Sequence, residues 1–487
     1  MAFRSLRDFL RLLEERGELH RIRAPVDRDL EITEIADRTT KAGGPALLFE
    51  NVNGFETPVL INTFGSERRT AWALGGESLE GIASRIRELL EMQPPGGSLV
   101  EKIRTLPKLA ELARIMPKRV RTGPVKEVVE RDAPSLSTIP VLRCWPLDAG
   151  RTITLPGVYT RDPETGITNV GMYRMQVYDD RTTGMHWQTH KVGREHHRKH
   201  AERSRRTEVA AVLGGPPAAI YSASAPLPPG IPELALAGFL NGEAIEVTPC
   251  ETVDLEVPAH AEYVLEGWVD PDERRLEGPF GDHTGYYSLA EEYPVFHLTC
   301  ITRRKDPLYP TIVVGRPIQE DCYLGKATVR LFLPAIQAAF PEIVDMNLPF
   351  EGIFHNLVLV SMRKRYPGHA LKLMHGLWGF GQLMFSKCII VVDHDVDVQN
   401  IPELVWRVTN NIDARRDVTF VEGPVDDLDH ASRRPKLGSK MGIDATRKLP
   451  EEGFEREWPP DIAMSEEVKA RVDELWGELG ISLPPRS

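Results

Sequence analysis

The stretch Glu277-Gly278-Pro279-Phe280-Gly281-Asp282-His283-Thr284-Gly285-Tyr286-Tyr287 sets two acids five positions apart around Gly-Pro-Phe-Gly. Two glycines and a proline in so short a span break a regular helix, so the stretch reads as a rigid turn. β-rich runs flank it at 262–269 and 295–303. Other short strands are predicted at 153–160, 168–178, 209–212, 218–222 and 244–248. Many short strands with few helices imply a β-barrel-like middle domain, with the acid turn at its mouth. Two carboxylates in a partly dry place, with Phe280 excluding water, should differ in pKa, as general acid/base work requires. An isolated pair of this kind is more often an incidental surface turn; the rest of the chain outweighs that reading.

Outward from the turn, the pattern is α/β on both sides. Residues 1–92 alternate helical and strand-like stretches, with strands at 45–51 and 57–63. The first helix carries Leu6, Phe9, Leu10 and Leu13 on one face, with Ser5 as cap and Gly17 as stop, unlike a signal peptide. Gln93-Pro94-Pro95-Gly96-Gly97 signals a linker, and 98–118 a mostly helical connector. After 310 the α/β pattern returns. The apolar run 388–392 between Lys387 and Asp393 predicts a strand buried on both faces. A terminal helix, 465–480, lines up Val468, Val472, Leu475, Trp476 and Leu479 to pack at home or on a partner subunit. The expected division is an N-terminal α/β domain 1–118, a middle domain 119–310, a C-terminal α/β domain 311–460, and a helix and tail 461–487.

The whole chain of 487 residues, 41% hydrophobic and 27% charged, has the balance of a globular protein of two or three domains. A net charge of −11 argues against general nucleic-acid binding, while leaving a locally basic site for a small anion open. Five scattered cysteines without a CxxC read as reduced thiols in a cytoplasmic protein. No apolar run approaches the roughly 20 residues of a membrane span.

The predicted strand 168–178 holds Asn169 and Arg174. Arginine is expensive to bury unpaired, and Glu277 or Asp282 is the expected partner. Asn169 and Arg174 have opposite parity, so a bulge near Gly171, or Asn169 lying before the strand proper, must bring them to one side. Met185-His186-Trp187-Gln188-Thr189-His190 offers two histidines, followed by a basic run through Arg206 that reads as a cationic helix face. The proline-rich approach 226–232 leads into a helix near Glu233, whose carboxylate the helix dipole favours. Asn, His and Glu together form an O/N/O set that suits Mn²⁺ or Mg²⁺ better than zinc, although their spacing alone specifies little. There is no Walker loop, no Ser-His-Asp signature and no convincing Rossmann context.

Several long motifs in order resemble the UbiD family of reversible decarboxylases, which use prenylated FMN. They are Leu6-Arg7-Asp8-Phe9-Leu10, Glu31-Ile32-Thr33-Glu34-Ile35-Ala36-Asp37-Arg38, Gly43-Gly44-Pro45-Ala46-Leu47-Leu48-Phe49-Glu50, the acid turn, and Gly438-Ser439-Lys440-Met441-Gly442-Ile443-Asp444-Ala445-Thr446. The resemblance implies a split-barrel flavin domain between two α/β segments. It implies that Asn169, His190 and Glu233 hold Mn²⁺ or Mg²⁺ beside the cofactor phosphate. It further implies that Gln188 and Lys387 contact the cofactor, Lys387 at the phosphate, and that Arg174, Glu277 and Asp282 form the acid–base network over the flavin. Some relatives carry Glu at the position of Asp282. A K⁺ site on backbone oxygens near 222–225 stays an open alternative, since the side chains there differ. The implied partners are an aromatic, hydroxylated carboxylic acid, a flavin prenyltransferase supplying the cofactor, and further copies of the chain in a dimer or hexamer. Membrane contact is at most peripheral. Quinone biosynthesis is the expected setting. The alternatives are a catabolic (de)carboxylase of a small phenolic or heteroaromatic acid, and a non-catalytic flavin-binding scaffold.

Overall fold

A computed structural model describes residues 1–91, 114–228 and 230–481. The expected linker at 93–97 and most of the connector lie outside these residues. The connector's described end includes a short strand, Lys118–Arg119, parallel to Glu246–Pro249.

The first helix, Leu6–Glu15, starts where expected. Ser5 caps it, Asp8 returns the bond to the Ser5 N–H, and Gly17 follows its end at φ +70°. Its apolar face is buried on a four-stranded sheet ordered Leu19–Ile22, Ala46–Phe49, Val59–Ile61 and Tyr309–Pro310. The last of these returns from far along the chain and ties the N-terminal sheet to the end of the middle region.

The central sheet has seven strands. Six run in the order Thr182–Gly184, Glu291–Arg303, Tyr263–Glu277, Thr207–Leu213, Pro156–Arg161 and Thr168–Met172, and Val128–Glu130 pairs with the end of Glu291–Arg303. Its longest hairpin pairs Glu277 with Glu291, so the acid turn is the tip of that hairpin. A register shift between Val269 and Arg274 bends the hairpin below the tip.

A second sheet follows, ordered Ile343–Asn347, Leu357–Met362, Cys388–Asp393, Leu437–Asp444 and Val418–Pro424. Cys388–Asp393 lies between two parallel neighbours, with Ile389, Val391 and Val392 buried, as its continuous apolar run predicted. The architecture is therefore multi-domain α/β. Among the described residues no helix is long and apolar enough to cross a membrane.

Three expectations change. The segment expected as a strand at 218–222 is a helix, Pro217–Ser222, because Pro217 starts a turn and a short, fully buried apolar run carries no period to separate the two forms. The expected strand 168–178 breaks into Thr168–Met172 and Met175–Gln176. The terminal helix is Glu466–Leu475, none of whose residues is buried; Val468, Val472 and Trp476 are exposed.

Candidate active site

The break in the predicted strand builds the site. Thr168–Met172 ends its ladder against Pro156–Arg161, and the chain rejoins a two-stranded pair only at Met175. Arg174 sits in the gap, free of ladder geometry. Its Nε donates to Glu277 Oε1 at 3.0 Å, and its Nη1 donates to Asp282 Oδ2. The guanidinium also lies 4.8 Å over the Phe280 ring. No bulge at Gly171 is involved: the strand simply stops between Asn169 and Arg174. The Glu277 side chain is only 1% exposed, and those of Arg174 and Asp282 are each 10% exposed. Such a group is destabilising to break, because each remaining charge would stay buried unpaired.

Hydrogen bonds to its backbone hold the turn in place. Gly278 N donates to Gln176 Oε1 at 2.7 Å, Gly281 N to Asp148 Oδ1 at 2.7 Å, and Ser288 N to Phe280 O at 2.8 Å. Gly278 has φ +90°, which L-residues rarely adopt. At Gly281 a Cβ would lie 2.3 Å from Trp145 Cδ1, and Trp145 is itself pinned by Nε1 to Val314 O at 2.8 Å. Gly281→Ala should therefore displace Asp282. The expected result is at least a tenfold loss of kcat with the flavin still bound, measured by initial rates and absorbance.

Sequence reasoning missed that each acid has its own histidine. His186 Nδ1 lies 2.8 Å from Glu277 Oε1, and His283 Nδ1 lies 2.9 Å from Asp282 Oδ1. In the sequence His186 is simply one of two histidines in 185–190; its adjacency to a residue 91 positions away has no sequence signal. Burial, then the Arg174 charge, lowers the His186 pKa. It is thus neutral, and donating from Nδ1 is the orientation that satisfies an ionised carboxylate. Burial alone would raise both carboxyl pKa values, but His186 and Arg174 hold Glu277 below its ordinary value, and Arg174 and His283 hold Asp282 far below. The expected divergence is therefore not what the resting site shows: one guanidinium serves both acids, and both are driven down. Burial works against charge on Arg174 as well, and the two carboxylates outweigh it.

Two of the other expected residues, Asn169 and Glu233, form a second group. The amide end of Asn169 lies 3.2 Å from Glu233 Oε1. Turned one way the amide donates to the carboxylate; turned the other, two oxygens face each other, as they would around a cation. Glu233 opens the helix Glu233–Asn241, and its Oε2 accepts from Val170 N at 3.1 Å. Among the described residues no cationic side chain pairs with it, and burial raises its pKa. A half-buried carboxylate lacking a counter-charge, beside an amide oxygen, fits a hard divalent ion. His190 is exposed and rests against Phe385 at 5.5 Å between ring centroids, with no hydrogen bond to Asn169 or Glu233. Gln188 is half-buried and meets Lys191 N only through its backbone oxygen, at 3.1 Å. Lys387, at the start of the strand Cys388–Asp393, pairs with Asp429 at 2.9 Å. The structure thus brings Arg174, Glu277 and Asp282 together, and Asn169 with Glu233; it does not join His190, Gln188 or Lys387 to either group by a direct bond. The basic helix Val192–Ala201 buries His196 and His197, whose Nδ1 atoms meet the hydroxyls of Thr160 and Thr207. Surface clefts of about 400 and 580 Å³, beside Leu30 and beside Arg7, lie apart from all of these residues.

Three segments match the 3-octaprenyl-4-hydroxybenzoate carboxy-lyase (UbiD) family: its N-terminal domain at 10–90, its Rift-related domain at 118–317 and its C-terminal domain at 322–445. An uncharacterized protein of Archaeoglobus fulgidus is 52% identical over 98% of this chain and 99% of its own length. One from Aquifex aeolicus is 50% identical over the same shares. Among solved structures, the UbiD-class enzyme HmfF of Pelotomaculum thermopropionicum, in complex with FMN, is 31% identical, with a TM-score of 0.79 over 94% of this chain and 97% of that one. The closed form of vanillic acid decarboxylase from Sedimentibacter hydroxybenzoicus is 28% identical, with a TM-score of 0.86 over 98% and 99%.

Proposed function

Because the chain belongs to the UbiD family of carboxy-lyases, we propose that it reversibly decarboxylates an aromatic, hydroxylated acid without net oxidation, using prenylated FMN. The observation that carries this reading is Arg174 bridging two buried carboxyls at the tip of one hairpin. A scaffold that merely bound flavin would gain nothing from so costly an arrangement.

Loss of CO₂ from an aromatic ring leaves an electron pair that no side chain can delocalise; prenylated FMN supplies that electron sink when bound. Asn169, Glu233 and His190 would hold Mn²⁺ or Mg²⁺ at the cofactor phosphate, with Lys387 and Gln188 beside it. Held there, such an ion would supply positive charge beside the phosphate. Arg174 orients the substrate carboxylate. That third negative charge competes with Glu277 and Asp282 for the guanidinium and raises both of their proton affinities. The buried site keeps water from the reacting carbon. After the C–C bond breaks, Glu277 or Asp282 delivers the proton to the carbon that bore the carboxyl group.

Quinone biosynthesis is one setting, with polyprenyl-4-hydroxybenzoate or a dihydroxynaphthoate as substrate. The similarity to vanillic acid decarboxylase favours a second, the turnover of a small phenolic acid. Protein co-produced with a flavin prenyltransferase, assayed for CO₂ release on a panel spanning these acids, decides between them. Absence of release from every acid would defeat the whole reading. The exposed face Val468, Val472 and Trp476 is the proposed contact of a homodimer or of a hexamer built from dimers.

Glu233→Gln and His190→Ala should each lose metal and flavin together, by metal analysis and absorbance of the purified protein. Unchanged metal content in either variant removes that residue from the ligand set.

A further inference from the structure

His283 has a second partner. Its Nε2 lies 3.0 Å from His355 Nε2, while its Nδ1 holds Asp282 Oδ1 at 2.9 Å. Its ring also stacks on Phe354, with centroids 5.3 Å apart and planes at 26°. The ring is therefore fixed in orientation, with one nitrogen on the acid and the other on a second imidazole. Two bare ring nitrogens 3.0 Å apart would repel, so a hydrogen must lie between them. Asp282, an acceptor when ionised, requires another hydrogen on Nδ1. Either His355 donates the hydrogen between the rings to a neutral His283, or His283 is an imidazolium donating to Asp282 and to a neutral His355; Asp282 at 2.9 Å from Nδ1, with the Asp426 carboxylate facing the pair, favours the imidazolium.

Resting on the decarboxylase reading above, we propose that His283 stores the proton that Asp282 delivers to the substrate carbon, and that His355 is the positioning residue that keeps it loaded. The charges facing the pair agree. Burial disfavours a charged His283, but Asp282, with Asp426 and Asp321 opposite, holds its pKa above the ordinary histidine value. Burial and the neighbouring His283 push His355 down to about 4, with Asp426 opposing and Lys191 adding to the effect. Asp321, pushed up to about 7 by burial, flanks the pair from the helix Glu320–Ala339.

The balance is one proton per turnover. The C–C bond breaks and CO₂ leaves without its electron pair. The Nδ1–H bond of His283 breaks as an Asp282 O–H bond forms; that O–H then breaks as the retained pair becomes the new C–H bond. His283 is left neutral and is reloaded from water. His283 lies in the segment matched to the Rift-related domain, while His355 and Asp426 lie in the segment matched to the C-terminal domain, so the store is complete only when these two parts meet.

The test uses ¹⁵N-histidine NMR on the protein without cofactor, and kinetics on the loaded enzyme. The expected spectrum shows His283 protonated on both nitrogens at pH 7. Its signal should revert toward an ordinary histidine titration in His355→Leu and be kept in His355→Gln, whose amide oxygen still accepts from Nε2. The expected kinetics are an alkaline fall of kcat that follows the His283 titration, and a 10–100-fold loss of kcat at unchanged KM in His355→Leu that His355→Gln largely restores. A neutral His283 at pH 7, or one equivalent of bound metal lost in His355→Gln, would overturn the proposal. So would an active His355→Leu enzyme with an unshifted pH profile. Failure of the wild-type enzyme to release CO₂ would instead strike the decarboxylase reading, while the NMR result stands independently.

Discussion

Glu277→Gln is expected to lower decarboxylation by about 10²–10⁴-fold while leaving the cofactor bound, the range typical of losing a positioned acid or base. The substitution is nearly isosteric. Its amide oxygen still accepts from Arg174 Nε and His186 Nδ1, which now share Glu277 Oε1. Its amide nitrogen takes the place of Oε2, an atom that makes no hydrogen bond and faces Gly184, where a Cβ would come within 2.7 Å. The side chain keeps its shape and its two hydrogen bonds at Oε1, so flavin absorbance should match the wild type. What disappears is the negative charge on Arg174 and the group able to carry a proton. Single-turnover CO₂ release, read beside the flavin spectrum, makes the measurement. Decarboxylation at the wild-type rate would take Glu277 out of the chemistry altogether.

Arg174→Met is expected to be the most destabilising single change in the site. It leaves Glu277 and Asp282 buried without their shared counter-ion, and breaking such a group costs about 3–5 kcal/mol. The pH dependence has a definite sign. In the wild type both carboxyls have lowered pKa values, so their contribution is present above the ordinary carboxylate range and is lost as pH falls through the folded values. Without the guanidinium, burial becomes the leading influence and the folded values rise. The variant then suffers most at neutral pH, and regains ground on the wild type as pH falls toward 4 and the acids take up protons. Thermal melts at pH 7.5 and pH 5 should show the gap between the two proteins narrowing at the lower pH. A gap independent of pH would mean that Arg174 stabilises by packing on Phe280 rather than by charge.

Much of the architecture is legible in local pattern. The helix Leu6–Glu15 declares itself by cap, period and stop, and Cys388–Asp393 by an unbroken apolar run between charged ends. Glycine and proline mark the acid turn, and its flanking strands follow by alternation. The misses have separate causes. Residues 218–222 are all buried, and an element buried on all sides shows no period. The run 168–178 is rich in Val, Met and Tyr, yet the ladder ends at Met172, and Arg174 in the gap reaches across to Glu277 and Asp282.

The sequence by itself determined the α/β layout, the rigid tip bearing Glu277 and Asp282, and the family motifs, because each is written in neighbouring residues through backbone preference and burial period. Only the tertiary structure decided that Arg174 reaches both acids, that His186 and His283 each attend one of them, and that His355 approaches His283 from the turn before the strand Leu357–Met362. Those contacts join residues 72 to 108 positions apart, or 1 apart in the case of Asp282 and His283, where the direction of the ring rather than the spacing matters. Charge pairing in a buried site is set by which side chains the folded sheets aim at one point, and no local propensity encodes that aim.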